Sequence, residues 1–254
     1  MKSIIKISAV SYLNSAPFVF GIKQKLDPQL FNLELDTPSV CADKLLKAQV
    51  DIGLVPVAII PLLKEHHIIS NYGIGAVGKV RSVILYSEVP LSNIENILLD
   101  HQSRTSVLLA KVLAKKLWNI SPSWMDASEG FESKIIGTTA GVVIGDRTFN
   151  LAGKFAYEYD LSEQWQKLTG LPFVFACWVS IRKLPDSFLK AFNRALLFGL
   201  DNKSLAIDQM PGLPASKTDI SNYLSNSISY DLDAQKKAGM AKFLELARDL
   251  KIIL

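Results

Sequence analysis

Residues that form disulfides or bind metals are scarce in this chain. Only two cysteines and three histidines occur among its 254 residues. Cys41 and Cys177 stand far apart and fit neither a CxxC pair nor a metal-binding spacing, which is typical of a reducing compartment but does not exclude a single disulfide. His66 and His67 are adjacent, so on a helix they would point about 100° apart and could not chelate one ion. We therefore predict no metal site.

A long uninterrupted apolar run is also missing from the sequence. No stretch of about 18 apolar residues occurs, which argues against a transmembrane helix. The N-terminus resembles a signal peptide, but Lys6 interrupts its apolar stretch, Asn14 and Pro17 break it further, and no lipobox cysteine follows. We expect residues 4–10 to form a first strand, and we expect a cytoplasmic protein without a membrane partner.

Charged residues, at 20% of the chain, are slightly fewer than in an average protein. The formal net charge is +4, and the lysines and arginines are spread out rather than run together. This pattern argues against a nucleic-acid partner, although a modest positive field would attract an anionic ligand. Hydrophobic residues make up 49%, which is enough for the core of one large domain or two small ones.

Strand and helix patterns alternate along the chain. The predicted strands, which are short apolar runs rich in β-branched residues, span residues 4–10, 32–36, 50–57, 81–86, 94–99, 140–144 and 172–181. The predicted helices, which carry one apolar face, span residues 18–26, 40–48, 107–118, 158–169, 186–200 and 233–252. This alternation predicts an α/β fold with a parallel sheet covered by helices.

The chain further suggests two similar lobes. Residues 50–56 and 140–147 both end a buried strand in a tight turn after a strand, loop and helix. We expect lobe one to comprise residues 1–86 and 173–254, and an inserted lobe two to comprise residues 87–172. A ligand would then bind in the cleft beyond the carboxyl ends of the strands.

A glycine motif at residues 73–78 matches GxGxxG. A dinucleotide site needs a helix after this motif, but residues 79–86 are strand-like, so we interpret the glycines as a flexible turn. No GxSxG elbow occurs, which leaves a hydrolase triad unsupported. His101, in a polar loop, is only a weak candidate for a catalytic base.

Polar residues follow the strand ends of both units. Ser103, Arg104, Thr105 and Ser106 lie between a strand and a helix start, where free N–H groups and the helix dipole favour a carboxylate or phosphate. Simple N-capping would explain the hydroxyls equally well. Arg104 would either bind the ligand or pair with an acid on the surface.

Ser11 and Asn14 occupy the equivalent place in lobe one. The Asn14 amide can hold a carboxylate or a hydroxyl, although asparagine is also a common turn residue. Ser82 stands at the start of the strand that crosses between the lobes. It would lie on the cleft floor if this strand is the hinge, and would otherwise be a solvated serine. Hydroxyls and amides at the strand ends of both lobes favour an anion bound between them.

Several of these segments resemble the chorismate dehydratase family. The matching segments are residues 10–17 (VSYLNSAP), 51–57 (DIGLVPV), 80–83 (VRSV), 103–106 (SRTS), 144–146 (IGD) and 168–176 (LTGLPFVFA), in the family order. The resemblance implies a type II periplasmic-binding-protein fold in a cytoplasmic enzyme. It also implies the conversion of chorismate to 3-[(1-carboxyvinyl)oxy]benzoate and water, the entry step of the futalosine route to menaquinone.

The resemblance and the residues together suggest roles in this reaction. Asn14 and Ser82 would be the catalytic residues that position the substrate and its leaving hydroxyl, while the enolpyruvyl carboxylate of the substrate takes the ring proton. The residues expected to bind the substrate are Ser11, Leu54, Val55, Pro56, Ser103, Arg104, Thr105, Ser106, Gly145 and Asp146. Asp146 would assist as an acid or merely cap its turn, and we favour the turn. We expect no cofactor, chorismate as the small-molecule partner, and a monomer or homodimer.

Three other functions compete with this one. A sister family with the same fold makes 1,4-dihydroxy-6-naphthoate and carries a histidine base in an Ile-His-Glu turn. Here the matching residue is Gly145, which has no side chain to act as a base. A non-catalytic solute-binding protein would need an export signal, and a ligand-sensing domain of a transcription factor would need a helix-turn-helix segment before the first strand.

Overall fold

The strands form two separate sheets in the computed structural model, which describes residues 4–251. With strands numbered in chain order, the first sheet contains β1 (Ile5–Val10), β2 (Phe31–Asp36), β3 (Ile52–Pro56), β4 (His67–Ala76), β10 (Phe173–Ser180) and β11 (Ser229–Asp231), in the order β11-β4-β10-β3-β1-β2. The second sheet contains β5 (Val83–Ser87), β6 (Asn96–Leu99), β7 (Ser123–Asp126), β8 (Thr139–Ile144) and β9 (Tyr157–Asp160), in the order β7-β6-β8-β5-β9.

Helices cover both sheets. They are α1 (Ala16–Lys25), α2 (Pro38–Leu46), α3 (Thr105–Leu113), α4 (Leu161–Thr169), α5 (Asp186–Asp201), α6 (Lys203–Asp208), α7 (Lys217–Asn222) and α8 (Ala234–Asp249). Proline in the first turn of α1 and α2 suits a helix start, because its missing N–H has no helical partner there. The predicted helix end at Ile252 and the first three residues of the chain lie outside the described residues.

The predicted two-lobe α/β architecture is confirmed. Lobe one is built on the six-stranded sheet and lobe two on the five-stranded sheet. β1 pairs in parallel with β2 and β3, and β10 returns antiparallel between β3 and β4. β3 and β10 are buried along their whole length, which is why they read as continuous apolar runs.

The chain crosses from the first sheet to the second through residues 77–82 and returns through residues 170–172. The expected lobe boundaries at residues 86 and 173 stay a prediction, and strand pairing places the first crossing between sheets a few residues earlier. Ser82 is the last residue of this crossing. Within the described part of the chain, no helix combines the length and apolar composition that a membrane crossing requires.

Two local predictions were wrong. Residues 158–169 are not one helix, because Tyr157–Asp160 pairs with β5 and Asp160 then caps α4 by accepting the N–H groups of Ser162 and Glu163. The glycine motif is not a flexible turn, because Gly73 and Gly75 lie inside β4. A Cβ at these two positions would come within 2.7 and 2.8 Å of carbonyl oxygens of β10, so only glycine lets the strands approach.

Both cysteines are buried and free, so the disulfide that the sequence left open is not formed. Burial raises the pKa of both thiols to about 12. The thiolate is the reactive form of cysteine, so Cys41 and Cys177 are inert structural residues. The Ser8 hydroxyl donates to the Asp36 carboxylate at 2.7 Å and lies 3.1 Å from the Cys41 sulfur, and Cys177 lies in the central strand β10.

Candidate active site

A cleft lies between the two sheets, where the ends of β1, β3 and β8 face the start of α3. It has about 520 Å³ of empty space, including the part open to solvent. Its lining residues are Val10, Tyr12, Asn14, Pro38, Pro56, Ile74, Val80, Ser82, Val83, Ser103, Thr105, Ser106, Ile144, Gly145, Phe175 and Ala176. None of these sixteen described residues is charged. The cleft therefore offers apolar walls and neutral hydrogen-bonding groups.

Asn14 enters the cleft from the short 3-10 turn Leu13–Ser15 that follows β1. The Ser15 N–H donates to the Tyr12 carbonyl at 3.1 Å, which closes the turn, and the Ser15 hydroxyl donates back to the Val10 carbonyl. The Tyr230 hydroxyl donates to the Asn14 carbonyl at 3.0 Å from the C-terminal part of the chain. The backbone of Asn14 is thus held from two directions, while its amide remains half-buried at the cleft.

Ser82 lies on the cleft floor at the crossing between the sheets, and it is 2% exposed. Its carbonyl accepts the Gly145 N–H at 2.9 Å. The preceding Arg81 has a left-handed backbone, with φ of 65°, and donates its N–H to the Asp160 carboxylate at 2.7 Å. A non-glycine residue keeps such a conformation only when its surroundings impose it. Asp160 therefore helps to fix the position of Ser82.

The turn before α3 supplies hydroxyls from lobe two. The Ser103 hydroxyl accepts the Ser106 N–H at 3.1 Å and keeps its own proton for the cleft. The Thr105 hydroxyl donates to the Phe175 carbonyl at 3.1 Å and accepts the Ala58 N–H at 3.2 Å. Thr105 lines the cleft, but its hydroxyl ties α3 to lobe one instead of remaining available to a ligand.

Other predicted binding residues lie away from the cleft. Leu54 and Val55 are fully buried in the central strand β3, and only Pro56 at its end reaches the cleft wall. Ser11 is exposed and lines a neighbouring cavity beside α1 and α6, and its N–H continues the β1–β2 pairing to the Asp36 carbonyl. Arg104 pairs with Asp43 of lobe one at 3.2 Å, the surface pairing that the sequence left open.

Gly145 and Asp146 meet the Tyr12–Leu13 segment of lobe one. Gly145 has φ of 71°, and a Cβ there would lie 2.7 to 3.0 Å from atoms of the Tyr12 ring. The Asp146 carboxylate accepts the Leu13 N–H at 3.1 and 3.2 Å. The Tyr12 hydroxyl donates to Gln102 of lobe two. Gly145 thus shapes the cleft through its backbone, and Asp146 joins the lobes rather than lining the cleft.

The ionisable groups around the cleft have shifted pKa values or are ion-paired. Burial raises the pKa of Asp146 to about 6, and the hydrogen bond from Leu13 offsets this only in part. Burial also raises the pKa of Tyr12 above its ordinary value of 10.0, and Asp100 adds to the rise. Asp100 itself is ion-paired with Arg147. With a pKa of about 6, Asp146 is mostly ionised at neutral pH, but it lies outside the cleft lining, where an anion would meet hydroxyls and the neutral phenol of Tyr12.

Within the described residues, no group of three or more histidine, cysteine, aspartate and glutamate side chains is placed to hold a metal ion. His101 lies outside the cleft, where its Nδ1 is 3.8 Å from the Asp100 carboxylate and its side chain is half-exposed.

The comparisons with known proteins concern almost the whole chain. A family model described as menaquinone biosynthesis matches residues 5–249. The chain belongs to this family. A relative named chorismate dehydratase, from Thermus thermophilus, is 26% identical over 246 residues, which cover 89% of this chain and 84% of that protein. A Campylobacter jejuni protein of the same name is 26% identical over 148 residues, which cover 56% of this chain and 64% of that protein.

Solved structures at low identity share the fold of this menaquinone-biosynthesis family member. A protein of Archaeoglobus fulgidus has a TM-score of 0.75 at 14% identity and covers 98% of both chains. The periplasmic aliphatic sulphonate binding protein of Escherichia coli has a TM-score of 0.62 at 14% identity, covering 100% of this chain and 94% of that one. The predicted periplasmic-binding-protein-like fold is confirmed.

Sequence reasoning missed two tyrosines of this family member. Tyr12 stands inside the VSYLN segment, so its place in a matching motif was a usable signal. Tyr223 lies in the helical C-terminal part, where no motif stood out, yet its hydroxyl reaches Ser82 at 2.8 Å. Tyr12 lines the cleft and Tyr223 lies behind Ser82, and neither was among the predicted site residues.

Proposed function

We propose that this protein is a chorismate dehydratase, which eliminates water from chorismate to give 3-[(1-carboxyvinyl)oxy]benzoate in menaquinone biosynthesis. The observation that carries the proposal is that Asn14, Ser82, Ser103 and Ser106 line one uncharged cleft between the lobes. The relatives named chorismate dehydratase agree with it.

The cleft suits the chemistry of chorismate. The substrate carries a ring, a hydroxyl, an enolpyruvyl ether and two carboxylates. The apolar walls, which include Ile74, Val80 and Phe175, would pack against the ring. The Ser103 and Ser106 hydroxyls at the start of α3 would donate to one carboxylate, helped by the positive end of the helix dipole. Neutral donors in a site shielded from water bind anions strongly, because little solvent competes for them.

The reaction is an elimination. The C–H bond beside the enolpyruvyl ether breaks, its electron pair becomes a ring double bond, and the neighbouring C–O bond breaks. The proton passes through the enolpyruvyl carboxylate of the substrate to the departing oxygen, which leaves as water. The product ring is aromatic, so the driving force is intrinsic to the substrate and no redox step is needed. The protein would hold the reactive ring conformer and exclude water.

Asn14 and Ser82 are the catalytic residues of this proposal. They reach the cleft from lobe one and from the crossing, and both lie beside the Tyr223 hydroxyl, so one edge of the ring would face the two side chains together. The Asn14 amide would hold the substrate carboxylate or ether in place, and the Ser82 hydroxyl would donate to the leaving hydroxyl. Asp146, occupied by Leu13, is left out of the chemistry.

The geometry disfavours the sister naphthoate synthase. A histidine at position 145 would have to occupy the space of the Tyr12 ring, and the left-handed backbone would be strained by any side chain. A base at this position is therefore incompatible with the packing of Tyr12. The solute-binding alternative shares the fold but predicts tight binding without turnover.

The decisive experiment incubates the purified protein with chorismate alone and follows the product by liquid chromatography and mass spectrometry. We expect chorismate to disappear as 3-[(1-carboxyvinyl)oxy]benzoate accumulates. Asn14→Asp should abolish turnover, since two like charges about 4 Å apart repel by about 4 kcal/mol at a partly buried site, or roughly a thousandfold in rate. Asn32→Asp, on the exposed face of β2, is the matched control and should be as active as wild type.

Two outcomes would contradict the proposal. A wild-type protein that binds chorismate tightly but forms no product would favour a solute-binding protein. An Asn14→Asp variant as active as the Asn32→Asp control would remove Asn14 from the mechanism.

A further inference from the structure

Tyr223 is a buried tyrosine whose hydroxyl contacts Ser82, a residue of the cleft lining. It begins the π-helical turn Tyr223–Ser227, directly after α7, and is fully buried. Its ring packs edge-on against Phe149 of lobe two, with ring centroids 5.2 Å apart. π-helical turns are rare and occur often at functional sites. The phenol donates a hydrogen bond to the Ser82 Oγ at 2.8 Å.

This hydrogen bond determines where the Ser82 proton can go. A serine hydroxyl has one proton to donate and two lone pairs to accept. The phenol of Tyr223 occupies one lone pair, and the structure shows no acceptor for the Ser82 proton among the described residues. Because Ser82 lines the cleft, its proton is free to donate to a ligand there.

The phenol remains a donor across the physiological pH range. Burial raises the pKa of Tyr223 above its ordinary value of 10.0, the hydrogen bond with Ser82 lowers it in part, and Asp146 raises it further. The neighbouring groups Asn14 and Arg81 also lower this pKa, but the balance is upward. A neutral phenol that donates to a hydroxyl makes that hydroxyl a stronger donor in turn.

The backbone around Ser82 is fixed independently of Tyr223. Arg81 is held in its left-handed conformation by Asp160, and the Ser82 carbonyl accepts the Gly145 N–H. The position of the Ser82 backbone therefore does not need the phenol. The phenol adds the direction of the Ser82 hydroxyl, and it also lies within hydrogen-bonding reach of the Asn14 side chain.

We propose that Tyr223 is a positioning residue, which turns the Ser82 hydroxyl so that its proton points at the leaving hydroxyl of the substrate. The inference rests on the proposed function. Ser82 keeps its proton and stabilises the departing oxygen by a hydrogen bond that strengthens as the C–O bond breaks. Binding of the substrate ring does not depend on this bond, so its loss should lower kcat more than it raises KM.

The test is a double-mutant cycle on purified protein with chorismate as substrate. Tyr223→Phe removes only the hydroxyl and should lower kcat by about 10- to 100-fold with KM changed by less than about threefold. Ser82→Ala should lower kcat by at least as much. The double variant should be no slower than Ser82→Ala alone, because Tyr223 acts through Ser82.

Tyr86→Phe is the matched control. Tyr86 is 1% exposed, and its hydroxyl donates to the Thr148 carbonyl at 3.4 Å, away from the cleft lining. This variant loses a buried tyrosine hydroxyl in the same way and should keep the kcat of wild type. If Tyr223→Phe does not fold, 3-fluorotyrosine at position 223 replaces it. Its more acidic hydroxyl donates more strongly to Ser82, so kcat should equal or exceed that of wild type.

The results that would overturn the positioning role of Tyr223 differ from those that would overturn the proposed function. A kcat for Tyr223→Phe within about twofold of wild type, or single effects that multiply in the double variant, would overturn the positioning role and leave the proposed function intact. A fall of fivefold or more with 3-fluorotyrosine would do the same. A wild-type protein inert towards chorismate would overturn the proposed function and, with it, this inference.

Discussion

Replacing Gly145 by alanine adds a single carbon atom, the Cβ, at the contact between the lobes. The left-handed backbone at φ of 71° costs an alanine about 1–2 kcal/mol. The new Cβ would also lie 2.7, 2.8 and 3.0 Å from three atoms of the Tyr12 ring, and such overpacking costs about 1–3 kcal/mol. We therefore expect Gly145→Ala to lower the free energy of unfolding by about 2–5 kcal/mol.

Gly153→Ala separates the two contributions. Gly153 has φ of 76°, but nothing lies within 4 Å of its added Cβ, so only the backbone cost of about 1–2 kcal/mol applies. Urea denaturation followed by circular dichroism measures both variants. Tyr12→Ala removes the ring, so adding Gly145→Ala to it should cost no more than Gly153→Ala does.

Catalytic activity should also depend on the contact between Gly145 and the Tyr12 ring. A displaced Tyr12 ring moves the cleft wall, and a shifted residue 145 weakens the N–H bond to the Ser82 carbonyl, so kcat of Gly145→Ala should fall by about tenfold or more. Equal stability losses in Gly145→Ala and Gly153→Ala would refute the packing of Tyr12 on Gly145. So would full activity of Gly145→Ala.

Two further changes test the electrostatics and the scaffold. Asp146→Asn keeps an acceptor for the Leu13 N–H. The pKa of Asp146 is about 6 in the folded protein and 3.8 in the free group, so the ionised carboxylate destabilises the fold above pH 6. Above this pH, Asp146→Asn should therefore have a free energy of unfolding about 1–3 kcal/mol higher than wild type. This advantage should disappear as the pH falls from 6 to about 4, and melting temperatures that differ equally at pH 8 and pH 4 would contradict it. Gly199→Ala should lower the free energy of unfolding by more than about 3 kcal/mol, because its Cβ would lie 1.8 Å from the Pro17 carbonyl where α5 crosses α1. The higher helix propensity of alanine, worth about 1 kcal/mol, offsets only part of this loss. An unchanged denaturation midpoint would refute the close crossing.

Local sequence patterns predicted most of the helices and strands because the signal for each lies within its own segment. The apolar runs of β3 and β10 reflect burial on both faces, and proline marks the starts of α1 and α2. β9 was missed because YEYD carries no apolar run and is defined by its pairing with β5. The glycines of β4 were misinterpreted because their cause is the carbonyls of a strand about 100 residues away.

The candidate site was predictable only in outline. The rule that ligands bind beyond strand ends brought Asn14 together with residues 103–106, and the structure places Asn14, Ser103, Thr105 and Ser106 in one cleft, with Arg104 outside it. It could not show that the turn after β1 leaves Ser11 exposed while Asn14 enters the cleft. Nor could it show Tyr223, whose partner Ser82 is 141 residues away in the chain. Side-chain direction at a turn and contacts over long sequence separations depend on the packed fold.

The most direct measurement is a crystal structure of the Ser82→Ala variant soaked with chorismate. We predict one edge of the ring beside Asn14 and position 82, its face against Phe175, and a carboxylate within hydrogen-bonding distance of Ser103 or Ser106. Chorismate bound instead in the neighbouring cavity beside Ser11, or beside Arg104 outside the cleft, would contradict it.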